Sequence, residues 1–212
     1  MSDGISKSKI GIFGGTFNPV HKGHEMTALN FYDKCELSEL IVMPCSIPPH
    51  KQLDASVTAV HRFGMCEVCF AKYYGIMNIR VSDFEMRREG TSYTIDTISM
   101  LKQEYKNDKI YFLVGSDMFL YLENWYRYQD LLELCVFTVA FRNSHDKAQV
   151  MALYDKLTQT GAEIELLENE PFEISSTELR ELISDDKSDR INLEKYISRE
   201  VLAYIEENRI YV

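Results

Sequence analysis

No run in this 212-residue chain approaches the roughly eighteen apolar residues that span a bilayer. The opening stretch MSDGISKSK lacks the apolar core of a secretory signal. Neither a membrane-spanning helix nor a membrane partner is therefore expected, and a cytoplasmic location is. Basic charge is also short: the formal net charge is −10. That balance argues against a nucleic-acid partner or an anionic membrane surface, both of which require a positive field. Cysteine is present in an odd number, five, with no framework spacing, so reduced thiols are expected. Cys66 and Cys69 form one CxxC, but zinc needs a second pair that is absent, and ordinary packing is the reading for both. Neither GxxxxGK[ST] nor GxGxxG occurs. Internal repeats, low-complexity segments and linkers are missing too, so one domain over 1–212 is expected.

What the sequence does contain is a glycine-rich turn, GGTFNPVHKGH, at positions 14–24. It follows the apolar run Ile10–Phe13 and precedes a stretch of helical period, which puts it on a strand-to-helix turn. Gly14 and Gly15 let the backbone approach a ligand, and the helix start offers unpaired amides and a positive dipole end. His21 and His24 add donors three residues apart, with Gly23 keeping the turn open.

Apolar runs rich in β-branched and aromatic residues recur near 9–13, 39–44, 78–84, 109–115, 135–141 and 163–167. Stretches of helical period, among them 24–34, 58–73, 93–105 and 146–158, separate most of them. The alternation predicts an α/β fold, a doubly wound parallel sheet, in which ligands sit at the carboxyl ends of strands. After position 170 the chain turns helical, giving a small C-terminal part over about 171–212, with KYISREVLAYIEENRIY as an amphipathic helix and short tail. The turn after the first strand, PCSIPPHK at 44–51, SYTIDT at 92–97 and GSDMFLYLENWY at 115–126 are all expected at carboxyl strand ends facing one crevice.

A second motif, ISSTELR at 174–180, fits a capping box, since Ser175 stands three residues before Glu178. A capped helix start is also an anion site. Arg180 lies one turn from Ser176 on the same face, where its guanidinium can fork across phosphate oxygens. In PCSIPPHK two prolines stiffen the loop and Lys51, beside His50, is the preferred contact for an incoming phosphomonoester. SYTIDTI reads as a helix start capped by Ser92. Trp125, the single tryptophan, has a plane suited to a flat heterocycle.

GTFNP followed by HxGH, with ISSTxxR far downstream, resembles the nucleotidylyltransferase superfamily, whose fold is Rossmann-like. PPHK, SYTIDT, GSD followed by NWYRYQDLL, and the closing helix are together similar to the bacterial nicotinate-nucleotide adenylyltransferases over nearly the whole chain. The resemblance implies an enzyme of NAD biosynthesis that joins nicotinate mononucleotide to the AMP part of ATP, releasing pyrophosphate, with Mg²⁺ carried on the triphosphate and no protein ligand for it. Related transferases for nicotinamide mononucleotide or phosphopantetheine, and a nucleotide sensor without chemistry, are the alternatives; homo-oligomerisation stays open. By the same resemblance His21, His24 and Arg180 are catalytic. Gly14, Gly15, Thr16, Phe17, Ser175, Ser176 and Thr177 cradle the ATP phosphates. Thr94 and the backbone at Tyr126 hold the nicotinate carboxylate, Trp125 lies against the pyridine ring, Asp117 meets ribose hydroxyls, and Gly115 and Lys51 complete the mononucleotide site. Asn18 stands where Asp is frequent in that family.

Overall fold

The computed structural model describes residues 7–47, 57–88, 90–141, 147–169, 172, 174–185 and 190–211. Its elements follow one another as β1 (Lys9–Gly15), α1 (Lys22–Lys34), β2 (Glu39–Pro44), α2 (Ala59–Phe70), β3 (Ile79–Val81), α3 (Thr94–Glu104), β4 (Lys109–Gly115), α4 (Ser116–Leu120), α5 (Tyr128–Leu134), β5 (Val136–Ala140), α6 (Lys147–Thr158), β6 (Ile164–Leu167), α7 (Ser176–Ser184), α8 (Arg190–Leu193) and α9 (Arg199–Glu207). Short 3₁₀ turns occupy Ala71–Tyr73 and Leu122–Asn124.

All six strands lie in one parallel sheet with the order β3-β2-β1-β4-β5-β6. Parallel strands covered on both faces must be apolar throughout. Val136–Ala140 is buried at every position, and Lys9–Gly15 and Lys109–Gly115 at all but their ends. The order reverses between β1 and β4, whose register pairs Ile12 with Phe112 and Phe13 with Leu113. Such a reversal is the topological switch point of a doubly wound fold.

The chain divides into two compact units, Met1–Phe13, Asn30–Leu40 and Tyr93–Glu170 in one, and Gly14–Leu29, Ile41–Ser92 and Pro171–Val212 in the other. The core of the first is built from side chains such as Phe31, Leu101, Phe119, Leu131 and Phe137, all essentially inaccessible. Cys35 in this unit donates to Glu165 Oε2 at 3.4 Å, and burial pushes its thiol up to about 12. In the second unit α2 carries a buried stripe, Arg62, Met65, Cys66, Cys69 and Phe70, at i, i+3, i+4, i+7 and i+8, the spacing of one helix face. Four of the five suit a core; the arginine does not. The buried carboxylate of Glu25 pairs with Lys72 at 2.5 Å and accepts from Tyr73 Oη.

Two local expectations are corrected. Ser92 does not cap α3: the N-cap is Tyr93, with no side-chain bond, and the Ser92 amide instead donates to Ile47 O at 3.3 Å. The closing helix starts at Arg199 rather than near 195, because Ser198 caps it by accepting from Val201 N at 3.3 Å. Among the described residues no helix is long and apolar enough to cross a membrane.

Candidate active site

The glycine-rich turn belongs to the second unit, and five of its carbonyls accept hydrogen bonds. Gly15 O accepts from Cys45 N at 2.9 Å and Thr16 O from Arg62 Nη1 at 2.9 Å. Asn18 O accepts from Arg180 Nη1 at 2.8 Å, Pro19 O from Ser176 Oγ at 3.3 Å, and His21 O from His24 N at 2.9 Å. A turn whose acceptors are bonded in this way presents donors to a ligand, which is what a polyphosphate requires. Phe17 adopts a left-handed φ of 48° and is buried. Its ring lies where a Cβ on Gly15 would stand, 2.9 Å from Phe17 Cζ.

The two histidine rings lie against each other, centroids 3.8 Å apart and tilted by 36°. His24 Nδ1 accepts from the backbone amide of His21 at 3.3 Å. With Nδ1 accepting, Nε2 is the ring nitrogen left to act as a donor. His21 is 8% exposed and lies parallel to Phe172, centroids 5.6 Å apart with 6° between planes. Gly23 is already within α1, and a Cβ there would come 2.6 Å from Phe172 Cδ1. The glycine between the histidines thus makes room for the aromatic ring that covers His21.

ISSTELR forms the start of α7 with the expected capping box. Ser175 Oγ accepts from Glu178 N at 3.2 Å and Glu178 Oε2 accepts from Ser175 N at 2.8 Å. These hydrogen bonds hold the Glu178 carboxyl below its ordinary range. Arg180 reaches back one turn to Ser176 O at 3.2 Å and donates to Thr177 Oγ1 at 3.2 Å. With its bond to Asn18 O it joins motifs 162 residues apart in the chain. Tyr211 adds another tie, its hydroxyl donating to Asn18 Oδ1 at 2.5 Å; burial raises the pKa of that phenol.

The described residues among those expected to read the mononucleotide lie in the first unit. Gly115 caps α4 at the end of β4, and Asp117 is exposed in the first turn of α4. Thr94 opens α3, half-buried. Trp125 is half-buried, its ring set edge-on to Phe112 at 6.2 Å, and its indole Nε1 is buried with no hydrogen-bond partner in the structure. Tyr126 is 58% exposed and its ring lies 5.0 Å from that of Tyr93. This contact draws the Tyr93–Thr94 and Trp125–Tyr126 pairs together. Lys51 lies outside the described residues. Among the described residues no cluster of three His, Cys, Asp or Glu side chains could hold a metal ion.

Arg62, Phe172 and Tyr211 were not anticipated. Only Arg62 left a signal in the sequence, a cation on the apolar stripe of a helix.

The family described as cytidylyltransferase-like matches residues 12–182. The chain belongs to this family of nucleotidyltransferases, and within it to the nicotinate-nucleotide adenylyltransferases. It is 36% identical over 204 residues to the nicotinate-nucleotide adenylyltransferase of Bacillus subtilis strain 168, covering 96% of this chain and 98% of that one. The fold is shared with the nicotinic acid mononucleotide adenylyltransferase of Plasmodium falciparum. In the complex of that protein with NaAD the TM-score is 0.78 at 23% identity, with 96% of this chain and 97% of that chain covered. Its complex with APC gives 0.76 at 22%, with the same coverage.

Proposed function

We propose that this enzyme joins nicotinate mononucleotide to the adenylyl group of ATP, forming nicotinate adenine dinucleotide and pyrophosphate. The observation that carries the reading is the direct bonding of the two motifs, Arg180 to Asn18 O and Ser176 to Pro19 O, which gathers a capped helix start, a glycine-rich turn and two histidines in one unit.

The nucleophile is the 5′-phosphate of the mononucleotide, already anionic at neutral pH, so no general base is needed. Alignment of the two reactants can supply on the order of 7–11 kcal/mol of barrier lowering. The Nε2–H of His24 donates to the α-phosphate as negative charge grows there, and His21 beside it does the same. The start of α7, with Ser175, Ser176, Thr177 and Arg180, receives the β- and γ-phosphates that leave as pyrophosphate. Gly14, Gly15, Thr16 and Phe17 shape the backbone around the triphosphate. Mg²⁺ would be bound mainly by the triphosphate oxygens and water, and would neutralise part of their charge. In the first unit Thr94 and the Tyr126 amide offer donors to the nicotinate carboxylate, Trp125 supplies a ring face and Asp117 accepts from ribose hydroxyls.

The test is pyrophosphate release from ATP and Mg²⁺ with nicotinate mononucleotide, nicotinamide mononucleotide and phosphopantetheine in parallel. Release with the first is expected. Silence with all three would favour a nucleotide sensor.

A further inference from the structure

We propose that Arg62 is a positioning residue for the transfer reaction, holding the glycine-rich turn and the chain leaving β2 in one fixed register; this rests on the adenylyltransferase reading above. Arg62 is 1% exposed on the apolar stripe of α2. Its Nη1 donates to Thr16 O at 2.9 Å and contacts Cys45 Sγ at 3.8 Å, and its Nη2 donates to Ser46 O at 2.8 Å. Every one of these partners is uncharged. Nε, too, is buried, with no hydrogen-bond partner in the structure.

A guanidinium buried this way is a poor choice for stability alone. Desolvation of the charge is costly, and an apolar side chain of similar volume at such a position is often neutral or stabilising. What the arginine provides, and an apolar residue does not, is a rigid fork that reaches two segments at once. One tine ends on Thr16, inside the turn assigned to the triphosphate. The other ends on Ser46, two residues past β2. Cys45 N to Gly15 O at 2.9 Å and Cys45 Sγ to Thr16 Oγ1 at 3.9 Å tie the same two segments side by side.

Reaction by alignment is sensitive to such a register, because a misplacement of about 1 Å can cost on the order of 100-fold in rate while each reactant still binds. The charge of Arg62 also sits 2.9 Å from Thr16 O in the turn, where it adds to the positive field felt by a bound anion. Loss of the fork should therefore appear in kcat more than in KM.

Arg62→Met and Arg62→Lys would be purified, checked for folding by circular dichroism and thermal melting, and assayed with nicotinate mononucleotide, ATP and Mg²⁺ beside the parent enzyme. The expected result is a fall in kcat of about tenfold or more in folded Arg62→Met, with both KM values within roughly threefold of the parent. Arg62→Lys should fall in between, since one ammonium cannot span both carbonyls. Parental kcat in folded Arg62→Met, or a loss confined to KM, overturns the proposal. Should Arg62→Met not fold, the same two criteria applied to Arg62→Lys decide. A parent enzyme inactive with this substrate pair would instead remove the functional reading itself.

Discussion

Replacing Gly23 by alanine sets two opposing effects against each other, and the structure decides the sign. Gly23 lies in the first turn of α1, where alanine gains up to about 1 kcal/mol over glycine through the reduced freedom of the unfolded chain. The new Cβ, however, would stand 2.6 Å from Phe172 Cδ1 and 3.0 Å from His21 Cε1. That is about 0.8 Å inside the 3.4 Å at which such contacts become ordinary. Phe172 has little room to yield, being stacked on His21 at 5.6 Å and set edge-on to Tyr196 at 6.3 Å. Overpacking of this kind costs about 1–3 kcal/mol, so Gly23→Ala should destabilise by about 1 kcal/mol net. In a Phe172→Ala background the nearest obstacle is gone, leaving His21 Cε1 at 3.0 Å, and the same change should lose most of its cost. Urea melts of the parent, both single variants and the double variant measure the coupling, expected at about 1–3 kcal/mol. A Gly23→Ala protein at least as stable as the parent, or a coupling below roughly 0.5 kcal/mol, would refute the argument that this glycine makes room for the ring.

His24→Ala removes a donor without removing core packing and should lower kcat by about 100-fold or more, some 3 kcal/mol; steady-state turnover of a folded variant checks it, and normal turnover would exclude the role. Thr94→Val should narrow the preference for nicotinate over nicotinamide mononucleotide by about tenfold and spare the KM for ATP; kcat/KM for both mononucleotides is the measurement, with an unchanged ratio counting against it. Cys35 and Cys69 are each raised by burial from 9.0 to about 12, so the folded chain keeps protons that the unfolded chain releases. Their contribution to stability is complete below pH 9 and is lost as pH rises from 9 towards 12, at up to about 1.4 kcal/mol per pH unit for each. Denaturant melts in reductant at pH 8 and pH 10 should show the decline, and equal stability at both would contradict it.

The sheet was legible because buried parallel strands are written as unbroken apolar runs: 39–44 and 109–115 coincide with β2 and β4. Boundaries were less so. The first strand runs on through Gly14 and Gly15, since extended glycines pair as well as other residues do. Ser92 had the composition of a cap, but α3 begins one residue too late for it, with Tyr93 at the N-cap and no side-chain bond there. In the candidate site, the residues assigned to touch substrate were visible as motifs because their chemistry restricts residue type. Their supports were not. Phe172 and Tyr211 are ordinary aromatics until folding sets them against His21 and Asn18, whereas Arg62 could have been read from its place on the stripe of α2.

The ties on the glycine-rich turn come from very different distances along the chain, 46 residues for Arg62 to Thr16 and 193 for Tyr211 to Asn18. Loop-closure entropy makes the longer closure more costly by about 1.3 kcal/mol, close to the net worth of a single hydrogen bond. The order of assembly follows from that difference. The arginine fork is favoured to close while much of the chain is still unfolded, and the tyrosine bond closes late, so the turn gains its shape early and its final rigidity last. Native-state hydrogen exchange would express this as an opening at Tyr211 that costs less free energy than the opening of α2.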